Sequence, residues 1–451
     1  MKAKLAALLN VKHGEWALLF PLLLLLATNT LVLELADVVA TAGFISNVGI
    51  PQILLVWVID MVITLISAGL YSMVVDRTAR VRLVRWFLIA FAVLYFIMQI
   101  LFRQNAPDWL TYPLLYILAD QQYVIFPLAF WALANDVYTM AESKRLFPII
   151  AAGAAIGSIL GNVLAAISGS ILDRLSWDTS SLLAFSGVLF LLGTLVIWLT
   201  FRRREVRARR SKEERASVKD TIQVGMDYIK DVPLFRYLAV IMLLVMLALT
   251  ILEYHFLFTM ESAYTDEPLR LQTFYGIYKV ALVVTTLLFQ WLVAGKLMEK
   301  AAPKNAFFGL PGALAVAVGT ALAFPGIAGG AAARFIGRLM ESSWDEPARK
   351  SVENLVPDER RGRVSVFIDS YFYALSTIIG CAVLGLLILI RSLGWVSADV
   401  ITIIYLGLAG VASLVALWAA TRLRATYDES LLNWRLARSR RKSILDGIDF
   451  G

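Results

Sequence analysis

The chain of 451 residues is short of cysteine, histidine and charge. Its one cysteine, Cys381, lies in a late apolar run, so no disulfide can close within the chain. Two histidines, His13 and His255, do not make a His/Cys metal centre, and no metal or cofactor is expected. No nucleophile–base constellation is visible, which argues against an enzyme. Charged residues make up 17% of the chain, below the ~25% of a soluble protein. A soluble enzyme, a nucleic-acid module and a disordered chain are thereby excluded. The net charge of +8 does not point to nucleic acid either, because the basic residues sit between and after apolar runs.

What the chain has instead is apolar length. Hydrophobic residues make up 59% of it and the mean hydropathy is +0.72. A membrane span needs ~20 apolar residues, so twelve need roughly 240. The apolar runs are continuous rather than alternating, which excludes a porin-type barrel. The expected fold is therefore an all-α polytopic membrane protein, with spans near 15–41, 50–72, 83–103, 112–134, 147–171, 180–201, 236–259, 272–294, 305–322, 323–344, 364–391 and 397–421. Lys2, Lys4 and Lys12 precede the first run as in a signal peptide. That run is too long for one and carries Glu34 and Asp37, so it reads as the first span. Only Phe324, Pro325 and Gly326 separate the ninth and tenth spans.

Lysine and arginine fall on alternate loops. One set holds Arg77, Arg80, Arg82 and Arg85, then Lys144 and Arg145, the run from Arg202 to Arg215, then Lys296, Lys300 and Lys304, and Arg349 to Arg363; the other holds scattered arginines such as Arg103 and Arg270. The positive-inside rule then places both termini in the cytoplasm, with the chain in a cell (inner) membrane. The longest polar stretch splits the spans six and six. This gives an N-terminal bundle 1–201, a cytoplasmic linker 202–235, a C-terminal bundle 236–421 and a basic tail 422–451. Val218, Ile222, Met226 and Ile229 make an apolar stripe suited to the membrane surface. Arg435, Arg438, Arg440, Arg441 and Lys442 make the tail a membrane-surface segment. Between spans two and three, Asp76 and Arg77 stand in a loop that resembles the major facilitator pattern Gly-x-x-x-Asp-Arg-x-Gly-Arg, with both glycines replaced. An Asp–Arg pair there can latch two helices; an ordinary basic loop is the competing reading.

Ionisable residues at membrane depth need partners or a task. In span one, Thr30, Glu34, Asp37 and Thr41 share a helix face. They suit cation or proton coupling, or a structural latch. Glu253 in span seven and Lys279 in span eight are placed to pair. His255 reads as a satisfied interior histidine. In span ten, Arg334, Arg338, Glu341 and Asp345 step by four, three and four. Arginine binds phosphate or carboxylate through two parallel bonds, so an anionic solute would explain the two arginines, as would pairing to Glu253 or Asp369. Asp60, Asp120 and Asp369 are further candidates. Gly153, Gly157 and Gly161 recur every four residues in span five and allow close helix approach, as at a surface where bundles slide.

Several motifs then resemble one family. Phe130-Trp131-Ala-Leu-Ala134-Asn135, Glu142-Ser-Lys144-Arg145-Leu-Phe147-Pro148 and Gly153-Ala-Ala are similar to the ATP/ADP translocase (nucleotide transporter) family. So are Leu252-Glu253, Phe274-Tyr-Gly276, Asp345-Glu-Pro347-Ala-Arg-Lys350, Pro357-Asp358-Glu359 and Ile368-Asp369. The resemblance implies a twelve-span, major-facilitator-like exchanger that binds nucleotide at a central charged site. Two of the family's charged recognition positions carry over, as Glu253 and Lys350. The family's span-one Arg-Asp-x-Lys-Asp reads Leu33-Glu34-Leu35-Ala36-Asp37 here, so both cations are missing, and its span-four Glu falls at Ala119, next to Asp120.

The leading expectation is a secondary transporter for an anionic or phosphorylated solute. Its substrate residues are Glu253, Lys350, Lys279, Arg334, Arg338 and Asp369, and its coupling or gating residues are Glu34, Asp37, Asp120, Asp76 and Arg77. The partners are that small solute and the lipid bilayer, with no nucleic acid. The competing readings are a proton-coupled transporter or lipid flippase on the same scaffold, with Glu34 and Asp37 as coupling carboxylates, and a non-transporting membrane protein.

Overall fold

The computed structural model describes residues 11–12, 14–75, 78–175, 179–202, 218–294, 303–353, 356 and 364–446. Among them there is no strand. The helices are α1 (Trp16–Asn47), α2 (Ile53–Val75), α3 (Arg80–Arg103), α4 (Asp108–Val137), α5 (Met140–Leu175), α6 (Thr179–Phe201), α7 (Val218–Asp231), α8 (Pro233–Ala263), α9 (Pro268–Phe289), α10 (Gly309–Ala323), α11 (Ile327–Met340), α12 (Glu346–Glu353), α13 (Tyr373–Ser392) and α14 (Ala398–Asp446). Eleven helical runs among the described residues are long and apolar enough to cross a membrane. The one expected span outside that count, the tenth, is α11, continued by α12 through a π-turn at Glu341–Asp345; its charges keep it out.

The eleven membrane-length runs are apolar on most of their surface. On α3, Leu88, Phe91 and Tyr95 are buried, while Trp86, Val93, Ile97 and Ile100 are exposed. Such a helix would aggregate in water and is stable when its outer face meets lipid. Prolines inside helices, Pro21, Pro113, Pro127 and Pro148, are tolerated because helix neighbours satisfy the freed backbone groups. Left-handed residues mark the turns that follow spans one, three, seven, nine and eleven: Gly49, Asn105, Asp266, Gly326 and Gly394. At Gly326, φ of +94° lets the chain reverse between α10 and α11 within three residues, as the sequence predicts.

The chain divides into two compact units, Met1–Lys212 with Tyr264–Val284, and Glu213–Ala263 with Thr285–Gly451. In the first, α1 is the hub and packs against α5, α4 and α6. The glycine ladder of α5 lies on the backbone of α1. A Cβ on Gly153 would sit 2.6 Å from the Leu23 carbonyl oxygen, and Cβ atoms on Gly157 and Gly161 would strike the carbonyls of Ala27 and Leu31. The ladder therefore fixes two helices within one unit, where the sequence allowed a sliding surface. Tyr95 and Phe91 of α3 stack on Phe190 of α6, 5.8 and 5.7 Å apart. The start of α9 is tied to α5: Gln272 donates to the Ala165 carbonyl at 2.9 Å and to Ser168 Oγ at 2.6 Å, and Thr273 donates to the Ala166 carbonyl at 3.0 Å.

In the second unit α8 is the hub, packed against α14, α13 and α11. The apolar stripe of α7 divides in two. Ile222 and Met226 stay exposed, while Gly225 and Ile229 face a small apolar cleft lined also by Leu238, Met242, Val364 and Ile368. The final span and the basic tail are one helix, α14, of 49 residues. Asp76 and Arg77 lie outside the described residues, as does 203–217 of the linker.

Candidate functional site

The sequence-predicted charges gather in three clusters, one in the first unit and two in the second. In the first unit, Lys279 of α9 reaches both span-one carboxylates, with Nζ 2.5 Å from Glu34 Oε2 and 2.5 Å from Asp37 Oδ2. Ser158 Oγ donates to Glu34 Oε1 at 2.6 Å, Thr41 Oγ1 to Asp37 Oδ1 at 3.4 Å, and the ammonium lies 5.8 Å from the Tyr275 ring. The three-residue spacing of Glu34 and Asp37 puts both on the face of α1 that meets Lys279. This corrects the expected Glu253–Lys279 pair: the lysine belongs to α1, and Glu253 is occupied elsewhere.

In the second unit, Glu253 of α8 takes two arginines of α11 on a single oxygen. Arg334 Nε donates to Oε2 at 2.6 Å and Arg338 Nη2 at 3.2 Å. Arg338 Nη1 also donates to Glu341 Oε2 at 3.0 Å. Residues four apart lie on one helix face, so Arg334 and Arg338 reach the same carboxylate. The Arg334 guanidinium lies 4.9 Å from the Phe256 ring centre, which orients it further. The Arg334 side chain is 9% exposed and Glu253 13%, whereas Arg338 is 38% exposed.

The third cluster forms where the helices widen. The π-turn Glu341–Asp345 takes Asp345 off the face of Arg334 and Arg338, and it binds Arg349 instead at 2.7 Å. The even four-three-four step read from the sequence holds for an α-helix and fails across a π-turn, where bonds run i→i+5. A second π-turn, Phe367–Phe372, presents Asp369. Asp369 pairs with Lys350, accepts from Ser365 at 3.2 Å and lies 3.8 Å from Arg349 Nη1. It does not meet the span-ten arginines.

Asp60 lies apart from these clusters in the first unit: Gln121 Nε2 donates to Asp60 Oδ1 at 3.0 Å and to Thr64 Oγ1 at 2.8 Å, and Asp120 precedes Gln121 on α4. His255 Nδ1 pairs with the Tyr405 hydroxyl at 2.9 Å in the interior of the second unit. Arg80 lies 3.8 Å from Asp136. At the membrane edge, Arg145 grips Glu15 with both terminal nitrogens, at 2.9 and 2.6 Å. That hydrogen bond holds the Glu15 carboxyl below its ordinary value of 4.5. Sequence reasoning missed Ser158, Ser365 and Phe256. Ser158 was detectable only as the polar neighbour of Gly157; the other two carry no pattern of their own.

The geometry is that of internally paired ion clusters on membrane helices, with Arg338, Lys350 and Asp369 partly accessible. Residues 104–327 match the family described as TLC ATP/ADP transporter. The match includes Phe130-Trp131, where Trp131 packs on Phe147 at 5.2 Å, and it includes Glu253; it ends before Arg334 and Lys350. No curated protein matches. Among solved structures, the chain is similar to nucleoside transporter NupG, with TM-score 0.63, 13% identity, and coverage of 91% of this chain and 99% of that one. A bacterial homologue of iron transporter ferroportin in the inward-facing state gives 0.61, 14%, 92% and 100%. Peptide transporter POT in complex with sulfate gives 0.58, 13%, 91% and 94%. At these identities the structures establish the fold, the two-bundle major facilitator arrangement. The chain is a multi-pass membrane transporter of small molecules with that fold, and its residues 104–327 carry the signature of the TLC ATP/ADP transporters.

Proposed function

We propose that this transporter carries a phosphorylated, nucleotide-like anion by alternating access, in exchange for a second such anion. The observation that carries the reading is the convergence of Arg334 and Arg338 on one oxygen of Glu253, with Arg338 left partly accessible. Arg338 has five N–H donors, of which Glu253 and Glu341 take two, so its planar fork can meet an incoming phosphate. Glu253 and Glu341 act as internal stand-ins that hold the arginines when no solute is bound. Arriving phosphate displaces them, and the freed carboxylates change the fit of α8 against α11. Lys350 and Asp369 are the second contact region, kept neutral by each other until solute arrives. Lys279 belongs with Glu34 and Asp37, which hold α9 to α1. The match to the ATP/ADP transporters supports a nucleotide over other phosphates.

The test is exchange of labelled ATP and ADP by the purified protein in liposomes. Uptake that needs nucleotide on the opposite side supports the proposal. Absence of nucleotide flux in vesicles that bind nucleotide would leave no exchanger. The Lys/Arg asymmetry further supports a cell (inner) membrane protein with cytoplasmic termini. A cysteine placed at Ser211 should react with impermeant reagent only from the cytoplasmic face; labelling from outside overturns that orientation.

A further inference from the structure

Most intramembrane carboxylates of this protein face a cation: Glu34 and Asp37 face Lys279, Glu253 and Glu341 face arginine, and Asp345 and Asp369 face Arg349. Among the described residues, Asp60 is held without one. It lies mid-way along α2 and is 1% exposed, and neither α2 nor α4, which packs against it, carries a lysine, arginine or histidine. The donor that reaches it is a neutral amide, Gln121 Nε2, 3.0 Å from Oδ1. A carboxylate buried this deeply needs a positive partner, because its lost hydration costs far more than one neutral hydrogen bond returns. Inside a membrane span, a residue that carries this cost has a task.

The groups around Asp60 are rich in oxygen and incompletely used. Thr64 stands one turn further along the same face of α2 and is 7% exposed. Gln121 is 8% exposed; its Nε2 bridges Asp60 Oδ1 and Thr64 Oγ1, at 3.0 and 2.8 Å, while its carbonyl Oε1 is buried without a partner. The two ends of an amide are nearly equal in shape, so the group can turn over in place. Turned, Oε1 would join Asp60 and Thr64 around one point, giving it carboxylate, hydroxyl and carbonyl oxygens. The amide hydrogens otherwise bridge the same gap. One turn earlier, Trp57 Nε1 donates to the Tyr116 hydroxyl at 2.9 Å and closes the seam between the helices, so the gap suits a small ion.

We propose that Asp60, Thr64 and Gln121 form a binding site for a small monovalent metal cation of the sodium class, between α2 and α4. Ligands that are all oxygen select a hard cation. One carboxylate among the three ligands matches a single positive charge, and Asp120, which precedes Gln121 on α4, only adds to the demand for it. The scarcity of histidine and cysteine argues against a transition-metal centre and has no bearing on such a site. The cation draws α2 and α4 together, and parting them would release it to water. The site belongs to the first unit and is distinct from the arginine cluster of the second. The inference does not rest on the identity of the solute.

Binding of radiolabelled sodium to the purified full-length protein in lipid nanodiscs, with no solute added and choline chloride as the balancing salt, tests it. The wild type should bind sodium saturably, one ion per chain, and sodium should raise its melting temperature where choline does not. Asp60→Asn keeps the size of the side chain and removes its charge; it should weaken binding by about tenfold or more. Thr64→Val removes only the hydroxyl and should weaken binding while keeping the thermal transition in choline. If Asp60→Asn does not fold, Thr64→Val decides. Absence of saturable sodium binding by the wild type at neutral and mildly alkaline pH overturns the proposal. So does undiminished binding in folded Asp60→Asn or in Thr64→Val, which would put the ion elsewhere. Each result is read without nucleotide, so it is separate from success or failure of the exchange assay.

Discussion

Glu253→Gln removes the charge that holds two arginines while keeping the shape of the side chain. In the wild type, Oε2 stands 2.6 Å from Arg334 Nε and 3.2 Å from Arg338 Nη2. Losing one partner of a buried ion pair costs about 3–5 kcal/mol, because the other charge stays desolvated. A pair ~4 Å apart at an effective dielectric of ~20 gives about 4 kcal/mol, in the same range. Arg334, 9% exposed, should bear most of this loss. Arg338 keeps Glu341 at 3.0 Å and is more open to solvent, so its share is small. Glutamine still accepts one hydrogen bond. The expected net loss is about 3 kcal/mol, or roughly 3 °C in melting temperature for a chain of this length. Adding Arg334→Met should recover most of it, since both charges then leave together. Thermal unfolding of wild type, both singles and the double, in one detergent, closes the cycle. Glu253→Gln should also bind ADP more tightly, because the internal competitor is gone. If Glu253→Gln melts like wild type, or the double melts below Glu253→Gln, Glu253 is not the counter-ion of Arg334.

Two further outcomes follow from packing and titration. Gly157→Leu puts a side chain into the Ala27 backbone carbonyl; it should lower stability by about 1–3 kcal/mol or more, seen as a lower melting temperature, whereas Gly312→Leu, at a position with open space, should not. The Glu15–Arg145 pair should stabilise the protein above the ordinary Glu15 value of 4.5 and lose that effect as pH falls through the lowered folded value. The melting-temperature gap between wild type and Arg145→Met should therefore be constant at neutral pH and close in acid; a gap unchanged in acid would detach it from Glu15.

The fold was legible because lipid leaves few choices. Apolar length, the Lys/Arg alternation and the Phe324-Pro325-Gly326 turn each report a backbone constraint that acts locally. The charged residues were legible as a set, since each is costly enough in a membrane to stand out. Their pairing was not. Lys279 is 242 residues from Asp37 in sequence, and nothing local says that it prefers α1 over Glu253. The π-turns were also hidden. Glu341-Ser-Ser-Trp-Asp345 reads as ordinary helix, yet the wide turn sends Asp345 to Arg349. Asp60 stood out as an acid inside an apolar span. Its contact with Gln121 depends on the crossing of α2 and α4, which no periodicity encodes.

The balance of charge in the second unit bears on which anion this site can prefer. Arg334 and Arg338 are matched by Glu253 and Glu341, so the empty cluster is neutral. A solute carboxylate would exchange one singly charged group for another of the same geometry and gain little. A phosphate brings about −1.5 to −2 charge and three strong acceptors, enough to occupy the forks of two arginines at once. On the proposed reading, selectivity for phosphate over carboxylate would follow from the internal carboxylates, which would set the affinity that a solute must beat. The guanidinium fork is essential to this account, since lysine offers a point charge without parallel donors. Arg338→Lys should therefore weaken binding of ADP at least tenfold, or about 1.4 kcal/mol, with a much smaller effect on the melting temperature without ligand. In the wild type, ADP should raise the melting temperature where acetate at equal concentration does not. Binding of ADP unchanged in both Arg338→Lys and Arg334→Lys, or equal protection by acetate, would mean that these arginines only hold α11 to α8.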